Sequence, residues 1–130
     1  MLTVLLVESD ADTRHIYAEF LRYKGHRTVN ATTLAEAYAL LESEPFHIVV
    51  SELHLPDGPG LHLIHAVRNN EALAQIPIIA HSTDSHPSSA KRALLAGADA
   101  FVAKPAEALM LVAKIESLAY GRLDAGGSKM

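Results

Sequence analysis

Residues 47–60 read His-Ile-Val-Val-Ser-Glu-Leu-His-Leu-Pro-Asp-Gly-Pro-Gly. The run His47–Ser51 is largely apolar and does not alternate with polar residues. It stops at a hydroxyl and a carboxylate, Ser51 and Glu52. Such a run predicts a strand covered on both faces, as in a parallel sheet. Asp57-Gly58 is a turn signal after it.

Working outward, four more short runs recur: Thr3–Val7, Arg27–Asn30, Ile76–His81 and Ala100–Ala103. Segments of helical period lie between them. Ala11–Lys24 sets Ile16, Phe20 and Tyr23 on one face, with Gly25 as a stop. Thr33 and Glu36 form a capping box for a helix to about Ser43, and Pro45 forbids its continuation. Gly60–Asn69 spaces Leu61, Ile64 and Val67 helically. Pro87 suits a first helical turn, with Gly97 ending that helix. Ala106–Tyr120 sets Leu109, Val112, Ala113 and Leu118 on one side. Strict β-α alternation predicts an α/β fold, a doubly wound five-stranded parallel sheet with helices on both faces.

The chain has 130 residues, which suits one domain. That domain is expected over 1–121, with a flexible tail or linker stub over 122–130. No cysteine is present, so disulfide frameworks, cysteine zinc sites and thiol catalysis are excluded. The net charge is −4, against the basic excess of a charge-driven nucleic-acid binder. Hydrophobic residues make up 49% of the chain, which excludes disorder. No apolar window reaches the length of about 20 residues of a membrane helix, and Met1–Val7 lacks the flanks of a signal peptide. A cytoplasmic protein is expected.

Ligand sites in open α/β sheets lie outside the carboxyl ends of the strands. Those ends carry Glu8, Ser9 and Asp10; Ser51 and Glu52; His81, Ser82 and Thr83; and Lys104 and Pro105. Acids, hydroxyls and a lysine therefore converge on one rim.

Four stretches then resemble the receiver domain of two-component response regulators, the CheY-like family, over about residues 2–120. They are Val4-Leu-Leu-Val-Glu-Ser-Asp10, Val49–Gly60, Pro77-Ile-Ile-Ala-His-Ser82 and Ala96-Gly-Ala-Asp-Ala-Phe-Val-Ala-Lys-Pro105. The resemblance implies a flavodoxin-like strand order, 2-1-3-4-5. It also implies two acids after the first strand that hold Mg²⁺; here these are Glu8 and Ser9. The phosphorylated aspartate falls on Glu52, four positions before Pro56. The switch hydroxyl falls on Ser82, the phosphate-pairing lysine on Lys104 and the aromatic switch position on Phe101. The Lys104–Pro105 bond is often cis in this family. Partners would be signalling proteins, such as a histidine kinase or an output domain. They would meet a face around Lys91 and Phe101, which would also admit a homodimer.

Two positions depart from the family's pattern. Ser9 removes a charged metal ligand, and Glu52 carries its carboxylate one methylene further out. Mg²⁺ demands near-octahedral oxygens at about 2.0–2.1 Å. A misplacement of about 1 Å costs on the order of a hundredfold in rate. The expectation is an atypical receiver that is not phosphorylated, is not an enzyme and uses no cofactor. It would act as a protein-interaction module, with Glu52 paired directly to Lys104. Glu52 supplies a fixed charge but not the three oxygens of a phosphoryl group. Both an active-like and an unswitched receiver stay open. The alternative is a working phosphoreceiver with Mg²⁺, for which Glu8 and Asp10 are the ligand candidates.

Other polar residues have simpler expected roles. Asp10 is read first as the cap of the first helix. His54, His62 and His65 are read as a solvated face rather than a zinc site. His26 and His47 head strands and are read as structural. His81 lines the rim or sits partly buried at its strand end. No helix-turn-helix region follows the last helix, so neither direct nucleic-acid binding nor membrane association is expected. An output domain following in a longer parent protein is compatible with the sequence.

Overall fold

The computed structural model of the chain describes residues 1–84 and 86–127. Five strands form the main sheet: β1 (Thr3–Val7), β2 (Arg27–Ala31), β3 (Ile48–Ser51), β6 (Ile78–Ser82) and β7 (Ala100–Ala103). Two two-residue strands, β4 (His54–Leu55) and β5 (Gly58–Pro59), pair antiparallel as a separate small hairpin. The helices are α1 (Ala11–Tyr23), α2 (Leu34–Ser43), α3 (Gly60–Arg68), α4 (Pro87–Ala96) and α5 (Ala108–Gly127). The main sheet has the order β2-β1-β3-β6-β7, and every pairing in it is parallel. Counting only its five strands, this is the expected 2-1-3-4-5.

Successive residues of a strand face opposite sides of the sheet, and the two cores follow from that. Leu5, Val7, Val49, Ile78 and Ala80 pack with Leu34, Leu41, Leu63, Ile64, Val67 and Ala93 of α2, α3 and α4. Val4, Leu6, Ile48, Val50 and Ile79 pack with Tyr17, Leu21, Leu111, Val112, Ile115 and Ala119 of α1 and α5. Both layers exclude water from the central strands β1, β3 and β6, while the edge strands β2 and β7 are partly exposed.

The helix starts follow local chemistry. Asp10 accepts from the Thr13 N–H at 2.9 Å and caps α1. The Thr33 hydroxyl accepts from the Glu36 N–H at 3.1 Å and caps α2. Gly97 ends α4 at φ +122°, a conformation that disfavours a side chain.

Two imidazoles anchor the start of β1. The Leu2 N–H donates to His26 Nδ1 at 3.0 Å, and the Thr3 N–H donates to His47 Nδ1 at 2.9 Å. His26 Nε2 therefore carries the proton and donates to Glu116 at 2.7 Å.

Three sequence expectations change. The stripe Ile16, Phe20 and Tyr23 does not pack inward, and Tyr23 is 82% exposed. The adjacent stripe, Tyr17 and Leu21, is buried instead. Tyr17 tolerates burial because its hydroxyl donates to the Ala106 carbonyl at 2.7 Å. In α5, Leu109 and Ala113 are exposed, and Leu111, Val112, Ile115 and Ala119 form the buried face. That helix is apolar nearly all round at its start, so its pattern does not fix its phase. It also runs to Gly127, so residues 122–127 extend the helix rather than begin a tail. Arg122 on that extra stretch donates to the Gln75 side chain. Residues 128–130 of the expected tail lie outside the described residues.

Candidate functional site

Each ionic residue of the rim stands one step beyond a strand. Glu8 follows β1, Glu52 follows β3 and Lys104 follows β7, while Ser82 is the last residue of β6. The backbone ladder continues through all three: Glu8 N–H to the Ala31 carbonyl at 2.9 Å, Glu52 N–H to Val7 at 3.0 Å and Lys104 N–H to Ser82 at 2.8 Å. The sheet itself therefore aims these side chains at one another.

Lys104 Nζ donates to Glu52 Oε1 at 2.8 Å and also to Glu8 Oε1. Glu8 and Glu52 are buried, with 3% and 8% of their side chains exposed, and Lys104 is largely covered, with 10% of its side chain exposed. Buried charges persist only when paired and hydrogen-bonded, and here every partner is supplied from within the chain. Glu52 Oε2 accepts from the Leu53 N–H at 2.5 Å and the His54 N–H at 3.1 Å. Glu8 Oε2 accepts from the Asp10 N–H at 3.1 Å. The extra methylene of glutamate lets the Glu52 carboxylate fold back onto the N–H groups that follow it.

Protonation follows from this geometry. Burial alone would raise the pKa of Glu52. The Lys104 hydrogen bond and charge, with the Ser82 hydroxyl and the His54 N–H, outweigh burial and hold the pKa below its ordinary value. Burial would likewise depress Lys104, but its bonds to Glu52 and Glu8 raise it. Glu52 and Lys104 are therefore both charged at neutral pH and form an ion pair.

A divalent ion does not fit this donor set as arranged. The Lys104 ammonium occupies the space between the two carboxylates that a cation would need. Ser9 is exposed and adds only a neutral hydroxyl. Asp10, the other candidate ligand, is committed to the start of α1 through the Thr13 N–H and hydroxyl.

The remaining rim residues separate into distinct roles. Ser82 is fully buried, and its Oγ accepts from the Asp84 N–H at 3.2 Å. Phe101 on β7 is half-buried against the core, and Lys91 on α4 is exposed. His62 and His65 are exposed on α3, and His54 Nε2 meets Asp84 at 3.4 Å. Among the described residues, no cluster of three His, Asp or Glu side chains has metal-binding geometry. The Lys104–Pro105 bond is cis.

Sequence reasoning missed three features. Lys104 bonds Glu8 as well as Glu52. Asp57, beyond its place in a turn, accepts from the Leu34 and Ala35 N–H groups at 2.7 and 3.0 Å, and so holds the start of α2 from across the loop. No local motif signals that contact, because 22 or more positions separate the partners. His81 is 1% exposed and stands edge-on to Tyr17 with ring centroids 5.1 Å apart, and its Nε2 has no hydrogen-bond partner among the described residues.

Comparison with known proteins agrees with this architecture. Residues 4–116 match the family described as the response regulator receiver domain. The chemotaxis protein CheY of Pseudomonas aeruginosa is 29% identical over 118 residues, covering 90% of this chain and 95% of that protein. The gliding motility regulatory protein of Myxococcus xanthus is 29% identical over 103 residues, or 79% of this chain. The chain spans only 13% of that protein's length, and 16% and 19% of two further relatives. Among solved structures, a two-component response regulator from Clostridium difficile superposes with a TM-score of 0.85 at 26% identity, covering 91% of this chain and 95% of that one.

Proposed function

The chain belongs to the response regulator receiver domain family, and from that premise we propose that it is a receiver that takes no phosphoryl group and signals by binding other proteins. One observation carries the reading. The Glu52 carboxylate, at the acceptor position, already fills the donors that a transferred phosphoryl group would need: the Lys104 ammonium and the Leu53 and His54 N–H groups. Catalysis of phosphoryl transfer rests on such donors meeting the charge that develops on the transferred oxygens. Donors satisfied in the resting state give a transition state no extra stabilisation.

Metal use follows the same logic. A Mg²⁺ ion at this rim would have to expel Lys104 from between Glu8 and Glu52 without the second carboxylate that Ser9 replaces. The module therefore works without catalysis and without a cofactor. Its partners are signalling proteins, a histidine kinase or an output domain, met through the face that carries Ser82, Lys91 and Phe101.

The test is an amide NMR titration of the full chain with Mg²⁺ and then beryllofluoride. A Ser9→Asp/Glu52→Asp double variant runs alongside. The expected result is a response in the variant alone. Shifts around Ser82, Phe101 and Lys104 in the native chain would overturn the reading in favour of a working phosphoreceiver.

A further inference from the structure

A groove of about 320 Å³ opens between the β4–β5 hairpin and the first turns of α4. Its floor is Leu53, Leu55 and Leu61, and its polar wall includes His54, Asp84, Ser89 and Arg92. Leu53 and Leu55 are buried in the core cluster, and Leu61 packs against it, so the floor is preformed.

The charges on the wall are unequal in what they still offer. Asp84 already accepts from the Ser89 hydroxyl at 2.7 Å and the His86 N–H at 3.2 Å, with His54 Nε2 at 3.4 Å. Arg92 is exposed and has no hydrogen-bond or ion-pair partner among the described residues. The groove thus carries one acidic and one basic side chain, and of the two Arg92 is the one whose hydrogen-bonding groups are unmatched among the described residues.

We propose that this groove takes a short extended segment of a partner protein, seating one apolar side chain on the three leucines and a carboxylate on Arg92. Its volume lies at the low end of the range for ligand sites, about 300–1,000 Å³. That suits one anchor residue and its neighbour rather than the face of a helix. Electrostatic complementarity then selects the partner, because a basic segment would bring like charge against Arg92.

The groove also touches the candidate site from behind. Leu53 and His54 line it with their side chains while their N–H groups hold Glu52. Asp84 lines it while its N–H donates to Ser82. The inference goes beyond the reading of Glu52, since the groove is formed whether or not that residue accepts phosphate.

The experiment titrates the isotope-labelled full chain with two synthetic peptides, Ac-Asp-Leu-Leu-Glu-NH2 and Ac-Lys-Leu-Leu-Lys-NH2. The acidic peptide is expected to give saturable amide shifts at Leu53, His54, Leu61 and Arg92 in about the millimolar range. The basic peptide should bind at least about tenfold more weakly. Arg92→Glu, an exposed position, should reverse the preference with the rest of the spectrum unchanged. Lys114→Glu on α5 should leave both titrations as they were. No saturable shift in the groove with the acidic peptide overturns the proposal. So does an equal response to both peptides, or an Arg92→Glu variant that binds like the native chain.

Discussion

Glu52 and Lys104 lie 2.8 Å apart between Oε1 and Nζ, and each is also bonded to a second partner. Lys104 reaches back to Glu8, and Glu52 turns its other oxygen onto Leu53 and His54. The ammonium thus bridges two buried carboxylates, and its removal tests the arrangement directly.

Lys104→Met keeps the length of the stem and deletes the charge. Breaking a buried pair by removing one partner costs about 3–5 kcal/mol. Urea unfolding at pH 7 should show a loss of this order. The unpaired carboxylates then lose the charge that held Glu52 below its ordinary pKa. In the variant the folded pKa of Glu52 rises, so the deficit should shrink as the pH falls towards 5. A deficit that is the same at both pH values would contradict the pairing.

His81 predicts a second pH dependence. Burial, aided by the Lys104 charge and opposed by Glu52, lowers its pKa from 6.5 to about 4. Between those values the unfolded chain binds more protons than the folded one. Stability must therefore fall as the pH drops through that window. The share from His81 is about 2 kcal/mol between pH 6.5 and pH 5. His81→Leu should remove that share, seen as a flatter stability profile across the same range.

Asp57→Ala should loosen the start of α2. The carboxylate holds the first two N–H groups of that helix, where negative charge is favourable. Hydrogen exchange should accelerate at Leu34 and Ala35, with little change at Glu36, whose N–H is held by Thr33. Asp57→Asn keeps one acceptor oxygen and should fall between.

Gly60→Ala tests the backbone behind the site. A Cβ at this position would lie 2.2 Å from the Glu52 carbonyl oxygen and 2.9 Å from Leu53 Cα. Both are backbone atoms, so no side chain can turn aside. The Gly60 N–H donates to the Leu53 carbonyl at 2.8 Å, which closes the turn that presents the Leu53 and His54 N–H groups. The substitution should cost at least about 2 kcal/mol. It should also move the Lys104 and Glu52 signals in an amide spectrum, which a remote core defect would not.

The sheet was legible because its central strands are covered on both faces. Continuous apolar runs such as Ile48–Val50 have one comfortable home, and the alternation with helices then constrains the order. The rim was legible for a related reason. Chain position alone places Glu8, Glu52 and Lys104 just past three strands, and charge implies the Glu52–Lys104 pair. What escaped notice depends on phase and on distance. Ile16, Phe20 and Tyr23 share a face of α1, but which of two neighbouring stripes meets the sheet is decided by Tyr17 finding the Ala106 carbonyl. Asp57 on α2 and His81 against Tyr17 arise only once distant segments meet.

The pair of imidazoles below the sheet has a consequence for folding fidelity. β1 is the strand between β2 and β3, and His26 and His47 head the connections into those neighbours. Each ring accepts a different N–H at the start of β1, and each sits beside a reciprocal backbone bond, Arg27 N–H to the Leu2 carbonyl and His47 N–H to the Thr3 carbonyl. A slip of β1 by one residue, about 3.3 Å, would break both ring contacts at once and turn its core side chains to the wrong layers. The two histidines act as a key that admits a single alignment of the strand, since each ring nitrogen meets one particular N–H.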